Sequence, residues 1–253
     1  RVFDSGRLVL KPCILIPVYN HPREIRMTVD SITESHGFPI ILVDDGSDFE
    51  CAEVLRVINA QVESVMLLRL PDNLGKGGAI KAGIYLAEES GFSHALQLDA
   101  DGQHDIGDID LFLSIAQDHL EDLVLGYPRF DDSIPKHRYY ARYLTHVWVW
   151  INTLSFEVKD SMCGFRVYPL QQMRSLLDRH TLGNRMEFDV EIVVRWCWCG
   201  FGVRNVATRV SYPLDGISHF RGFKDNLLIT CMHTKLFFLM LLQFPALIGK
   251  KFR

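Results

Sequence analysis

The 253-residue sequence has no Cys-x-x-Cys pair, no surplus of basic residues and no uninterrupted apolar run of membrane-spanning length. Its six cysteines, Cys13, Cys51, Cys163, Cys197, Cys199 and Cys231, are scattered. That scatter excludes a zinc ribbon or a disulfide framework and predicts buried thiols in a reducing compartment. A net charge of −4 argues against a nucleic-acid binder. The chain opens at Arg1 without the basic, apolar and cleavage-site regions of a secretory signal, so none is expected. The missing initiator Met predicts a trimmed chain or a piece of a longer polypeptide, with a fused or neighbouring domain among its partners. What remains is 48% hydrophobic and 23% charged, an ordinary globular composition with enough apolar residues for one large core.

Several ready-made ligand motifs are missing too. Around Gly75-Lys76-Gly77-Gly78, Leu70 stands where a Walker A loop needs its first Gly and Gly77 where it needs Ser or Thr. Ile80 takes the place of the third Gly of a dinucleotide fingerprint. The stretch therefore reads first as a helix start. Its place ahead of a helix N-terminus is what would let Lys76 meet a phosphate.

Apolar runs and helical periods alternate through the first hundred residues. Strands are predicted at Cys13–Val18, Pro39–Val43, Val65–Leu70 and His94–Leu98, with helices at about 22–35, from Ser47 or Asp48 through Ile58, and up to Glu89. That order implies an α/β fold with a mostly parallel sheet and right-handed crossovers. The polar clusters Tyr19-Asn20, Asp44-Asp45 and Asp99-Ala-Asp101 then fall at one sheet edge, where a nucleotide site belongs.

Asp99 and Asp101 follow the fourth strand. In a chain still extended there, residues two apart share a side, so both carboxylates face one cation, with Gln103 and His104 close behind. Hard oxygen donors suit Mg²⁺ or Mn²⁺ and, through it, phosphate oxygens. The plain alternative is a solvated acidic turn. An EF-hand is excluded by His104 at the sixth position and Asp110 at the twelfth, and a phosphatase Asp-x-Asp-x-Thr by Gln103.

After a strand at Leu123–Gly126 the alternation ends. Arg129, Lys136, Arg138 and Arg142 lie among aromatics, as a phosphate clamp or as the solvated side of a helix whose aromatics pack. Glu187 and Glu191 share one face of a later helix while Asp189 points elsewhere, so at most two of the three serve one site. The last stretch, Leu236–Ile248, is apolar but interrupted by Gln243 and Pro245, short of the ~20 residues a spanning helix needs. Between His219 and Arg253 six basic residues face one acid, Asp225, which predicts an interfacial helix on an anionic leaflet. A core helix or a contact with a neighbouring domain are the alternatives.

Six segments, Pro17–Asn20, Val43–Ser47, Asn73–Gly77, Asp99–His104, Asp160–Arg166 and Phe188–Glu191, together resemble the family 2 inverting glycosyltransferases of the GT-A fold, in the branch of the polyprenyl-phosphate sugar synthases. The likeness spans about Pro12 to Asn226 and includes features similar to bacterial members. It implies a GT-A domain over 1–222 with an amphipathic helical tail over 223–253. It further implies a UDP- or GDP-linked sugar donor, a lipid-linked acceptor, a Mg²⁺ or Mn²⁺ cofactor, and a peripheral place on the cytoplasmic face of the cell membrane. By the same resemblance Pro17, Tyr19, Asn20 and Asp45 hold the nucleotide, Asp99 lies near ribose and metal, and Asp101 and Gln103 complete the metal site. Arg129 and Arg138 take the place of acceptor-phosphate arginines. The diphosphate would fall to Arg166, His219 and Arg221, although Ser218-His219 stands where the family commonly has Ser-Lys. A phosphate acceptor is already an anion and needs a clamp; a hydroxyl acceptor, soluble or on a protein, needs a base, with Asp189 the candidate and Glu187 beside it. An inactive nucleotide-binding scaffold is the remaining alternative.

Overall fold

The computed structural model describes residues 10–129, 136–210 and 221–251, and of residues 136–139, 141, 250 and 251 the backbone alone. Strand β1 (Pro12–Val18) leads through α1 (Pro22–Ser35) to β2 (Ile40–Asp44), and α2 (Phe49–Gln61) to β3 (Val65–Arg69). Then come α3 (Lys76–Glu89), β4 (His94–Gln97), α4 (Ile109–Asp118), β5 (Leu123–Arg129) and α5 (Lys136–Thr153). The chain closes with β6 (Arg166–Pro169), α6 (Leu170–Arg179), α7 (Phe188–Cys199), β7 (Val203–Arg209) and α8 (Gly222–Lys251).

The seven strands form one sheet in the order β3-β2-β1-β4-β6-β5-β7. All pairings are parallel except those of β6, which runs against both β4 and β5. Reversing twice across β6 leaves β5 and β7 pointing the same way as β1 to β4, so six carboxyl ends share one edge. The strand order turns back between β1 and β4, the crevice where an open α/β sheet takes its ligand.

Both faces of the sheet are covered, which explains the near-continuous apolar strands. Ile14, Ile16 and Val18 of β1 point to the layer of α1, α2 and α4, while Cys13 and Leu15 point to that of α3, α6, α7 and α8. Ile40 and Leu42 repeat the first pattern in β2, Ile41 and Val43 the second. Burying both faces is what a period-2 strand with apolar residues at every position accomplishes.

Helix α8 differs from the expectation of a short, interrupted run. It continues through Pro245, and Gly222–Gly249 is by length and composition long and apolar enough to cross a membrane. An interior proline costs a helix about 3 kcal/mol. Packing along the same helix offsets that cost, because Met232, Leu236, Met240 and Leu247 are buried in the core shared with α3, α6 and α7. The thiols also divide: Cys13, Cys51 and Cys163 are buried as expected, but Cys231 on α8 is exposed.

Candidate active site

The loops at the carboxyl edge bind each other before they bind anything else. Asn20, in the left-handed region at φ 53°, donates its N–H to Ser47 Oγ and accepts the Asp48 N–H on its side-chain oxygen. Asp44 is buried, accepts the Ser47 N–H at 2.8 Å and pairs with Arg69. Asp45 accepts the N–H groups of Leu74 and Gly75 at 2.8 and 2.9 Å, so it holds the turn that leads into α3. Burial pushes the Asp45 carboxyl up, and those two N–H groups partly offset it.

The glycine run has a role the sequence reading did not foresee. A Cβ on Gly75 would lie 2.6 Å from Arg185 Cγ, and one on Gly77 would lie 2.4 Å from Phe188 Cβ. The Gly78 N–H bonds to Asn184 O at 2.8 Å. The start of α3 is thus pressed against the segment leading into α7, and this close approach accounts for the glycines. Gly75 also adopts φ 98°, a conformation that other residues rarely reach.

Lys76, expected at a phosphate, lies between two carboxylates: its Nζ is 2.7 Å from Asp99 Oδ1 and 2.9 Å from Asp189 Oδ2. Burial opposes the Lys76 charge, but Asp189 and Asp99 raise its pKa above the ordinary value. Burial likewise opposes the Asp99 charge, yet Lys76 and His104 hold that carboxyl well below the usual range. The chain is not extended past Asp99 but turns at Ala100–Gly102, and Asp101 accepts the Gln103 N–H at 3.1 Å. The two aspartates still sense each other: burial first, then the Asp99 charge, raises Asp101. His104 stands with its Nε2 3.6 Å from Asp99 Oδ2 and its ring against Phe165. Among the described residues no three His, Cys, Asp or Glu side chains converge as a finished metal cage. The donors nonetheless fit a hard cation: two neighbouring carboxylates, with Gly164 leaving room for that of Asp99.

Arg166 takes a different place from the one expected at a diphosphate. It is fully buried, donating to Cys163 O, Tyr168 Oη, Asp189 O and Ser161 O, with Nη2 3.6 Å from Asp189 Oδ1. It anchors Asp189 from beneath. Arg142 likewise is held by protein, donating to both oxygens of Asp160 at 2.5 and 2.8 Å. Glu187 parts from Asp189: one oxygen accepts the Arg185 N–H at 3.3 Å, while Glu191 takes the Gly183 N–H and Arg195. Helical geometry thus separates them, and of the three only Asp189 reaches Lys76 among the described contacts. Arg221 donates to Asp225 at the start of α8. Arg129 is exposed at the end of β5, on the carboxyl edge. The backbone of Arg138 lies in the first turn of α5, and His219 lies outside the described residues. Arg185 escaped the sequence reading; its Nη1 bonds Asn73 Oδ1 at 3.3 Å beside Asp45. Its position two residues ahead of Glu187 was the signal available.

A mostly parallel sheet with acidic groups gathered where the strand order turns back is the arrangement of the GT-A glycosyltransferases, and the fold and site place the protein in that class. The chain belongs to glycosyl transferase family 2, whose model matches residues 13–179. It is 26% identical over 213 residues to a dolichyl-phosphate beta-glucosyltransferase of Trichomonas vaginalis, covering 76% of this chain and 63% of that one. It is 27% identical over 200 residues to the dolichyl-phosphate beta-glucosyltransferase of Dictyostelium discoideum, covering 71% and 60%. The chain thus spans about three-fifths of the length of these relatives. Glucosyl-3-phosphoglycerate synthase from Mycobacterium tuberculosis superposes with a TM-score of 0.65 at 13% identity, over 90% of this chain and 80% of that one. The mannosyltransferase PcManGT from Pyrobaculum calidifontis, solved with GDP-Man and Mn²⁺, gives 0.56 at 13%, over 92% and 64%.

Proposed function

We propose that the protein transfers a sugar, with inversion, from a nucleoside-diphosphate donor to a lipid-linked phosphate acceptor, using a divalent cation. The observation that carries the choice of acceptor is the setting of Asp189, whose carboxylate lies between Lys76 and Arg166. Those ion pairs already engage the carboxylate, and a phosphate acceptor, being an anion, needs no base. Its oxygen attacks the anomeric carbon opposite the diphosphate as the carbon–oxygen bond to the leaving group breaks, releasing nucleoside diphosphate. Arg129 and Arg138 bind the acceptor phosphate in this reading, and Tyr19, Asn20 and Asp45 line the nucleoside end. Asp99 and Asp101 hold Mg²⁺ or Mn²⁺, which when bound offsets the charge gathering on the leaving diphosphate. The dolichyl-phosphate glucosyltransferase relatives support this substrate class.

A hydroxyl acceptor is the second reading, and one observation favours it. Asp189 Oδ1 is buried without a hydrogen-bond partner among the described residues, so it has an unused capacity to accept a hydrogen bond. Transfer assays with UDP- and GDP-sugars and a polyprenyl phosphate separate the two. Asp101→Ala is expected to lose at least ~100-fold in turnover, as is wild-type protein in excess EDTA. Asp189→Asn is expected to stay within ~10-fold with the phosphate acceptor; a loss near 10³-fold would restore it as a base.

The relation to the membrane follows from α8. From Met232 to Leu247 its inner side is packed on the domain over about 22 Å, so a bilayer cannot surround it. Its outer side exposes Phe223, Leu227, Phe238, Leu241 and Leu242, with Lys224 and Lys235 beside them. This helix lies in the plane of the membrane surface, at the cytoplasmic leaflet, and brings the edge to a lipid-borne phosphate.

A further inference from the structure

Lys76 holds the position from which a cation would otherwise serve Asp99. Its ammonium is 2.7 Å from one oxygen of that carboxylate, and the other oxygen faces His104 at 3.6 Å. The residue expected to bind metal is therefore already neutralised by the protein's own lysine. A divalent cation entering beside Asp99 meets that positive charge at close range, in a place only partly open to water.

We propose that Lys76 is a displaceable counter-ion: it keeps Asp99 closed to the divalent cation until a nucleoside diphosphate draws the ammonium away, so that metal and nucleotide bind as partners. This rests on the donor-site reading above. The diphosphate brings negative charge to the carboxyl edge, giving the ammonium a new partner and freeing an Asp99 oxygen in one movement. Lysine suits the task, since its compact charge rides on a flexible four-carbon stem and can change anions, whereas the rigid fork of arginine would grip one carboxylate. Its Cα sits at the first residue of α3, so the stem leaves from the end of the helix. Asp189 keeps one anchor when Lys76 moves, because Arg166 still lies beside it. The absence of three converging ligand groups among the described residues fits a site completed by diphosphate oxygens.

The test reads Mn²⁺ binding by the loss of the free-ion electron paramagnetic resonance signal, on purified protein without substrate. Lys76→Met is expected to bind Mn²⁺ at least ~10-fold more tightly than wild type, and metal-free UDP or GDP about 10-fold more weakly. Lys76→Arg, which keeps the charge, is expected to bind Mn²⁺ as weakly as wild type. Equal Mn²⁺ affinity in wild type and Lys76→Met would overturn the proposal. So would wild-type protein that takes up Mn²⁺ as tightly alone as with saturating UDP or GDP, a measurement that needs no variant. Failure of both nucleotides to bind, with or without Mn²⁺, overturns the donor reading itself and takes this proposal with it.

Discussion

Gly164 sits where a single methyl group would reach the chemistry. A Cβ there would lie 2.1 to 2.4 Å from the atoms of the Asp99 carboxylate, which Lys76 holds from the other side. The surrounding loop cannot readily yield, since Asp160 accepts the N–H groups of Met162 and Cys163 and Arg166 clasps Cys163 O. Gly164→Ala should therefore displace Asp99 rather than the loop. Sugar transfer is expected to fall at least ~10-fold, while overpacking costs only about 1–3 kcal/mol of stability in urea melts. Unchanged turnover would mean that the Asp99 position tolerates the shift. Asp99, Asp101 and Asp189 could be picked out from the sequence because carboxylates after a strand or at a helix start stand out. Their link through Lys76 could not, because the three segments are joined only by the folding of the chain.

Among the elements, the docking of α8 on α5 carries an acid-sensitive contact. His233 is 4% exposed, with Nδ1 3.3 Å from Asn152 Nδ2 and its ring over Trp148. Burial lowers its pKa from 6.5 to about 4. Between those values the unfolded chain binds a proton that the folded one refuses, so stability falls as pH drops from about 6.5 to about 4, by up to ~3 kcal/mol. Asp160 acts in a separate window. Burial raises its pKa, but Arg142 and His146 hold it well below the usual range, so its contribution is full above about pH 3.8 and lost below. Melting temperatures from pH 8 to 3 should show both falls, and His233→Phe should flatten the first while leaving the second. A wild-type curve level between pH 6.5 and 4 would contradict a neutral, buried His233. The apolar run over 236–248 and its basic flanks announced a helix, but its true length depended on a partner face that hydropathy does not contain.

For the molecule as a whole, most of the exposed large apolar side chains among the described residues lie on one pair of helices. Tyr140, Tyr143, Leu144 and Ile151 of α5, spaced at helical intervals, are exposed, and α5 meets α8 through Trp148 packing on Phe237. Patches of this kind mark membrane or protein contacts. Co-sedimentation with vesicles rich in anionic lipid should fall several-fold in the double variant Phe238→Glu, Leu242→Glu, with metal-dependent hydrolysis of the soluble donor unchanged. A wild-type dimer in light scattering that the double variant abolishes, without any vesicle binding, would instead make this face an interface between copies. Labels at Cys231 and at Leu242→Cys should report equal depth to lipid-borne quenchers if α8 lies in the plane. A spanning helix would separate them by about 16 Å.

Local physics was enough for β1 to β5, most helices and the edge on which the polar clusters stand, but not for β6 and β7. Apolar period, turn residues and alternation are properties of neighbouring residues, and parallel crossovers follow from them. The tertiary structure decided which charges are already matched. It gave Arg166, Arg142 and Arg221 to Asp189, Asp160 and Asp225, fastened the turn before α3 to Asp45, and set Lys76 between Asp99 and Asp189. An arginine in a sequence looks the same whether it awaits a ligand or neutralises a carboxylate more than twenty residues away. Only the distance between them in the folded chain, a few ångströms across a poorly solvated site, fixes the energy that decides.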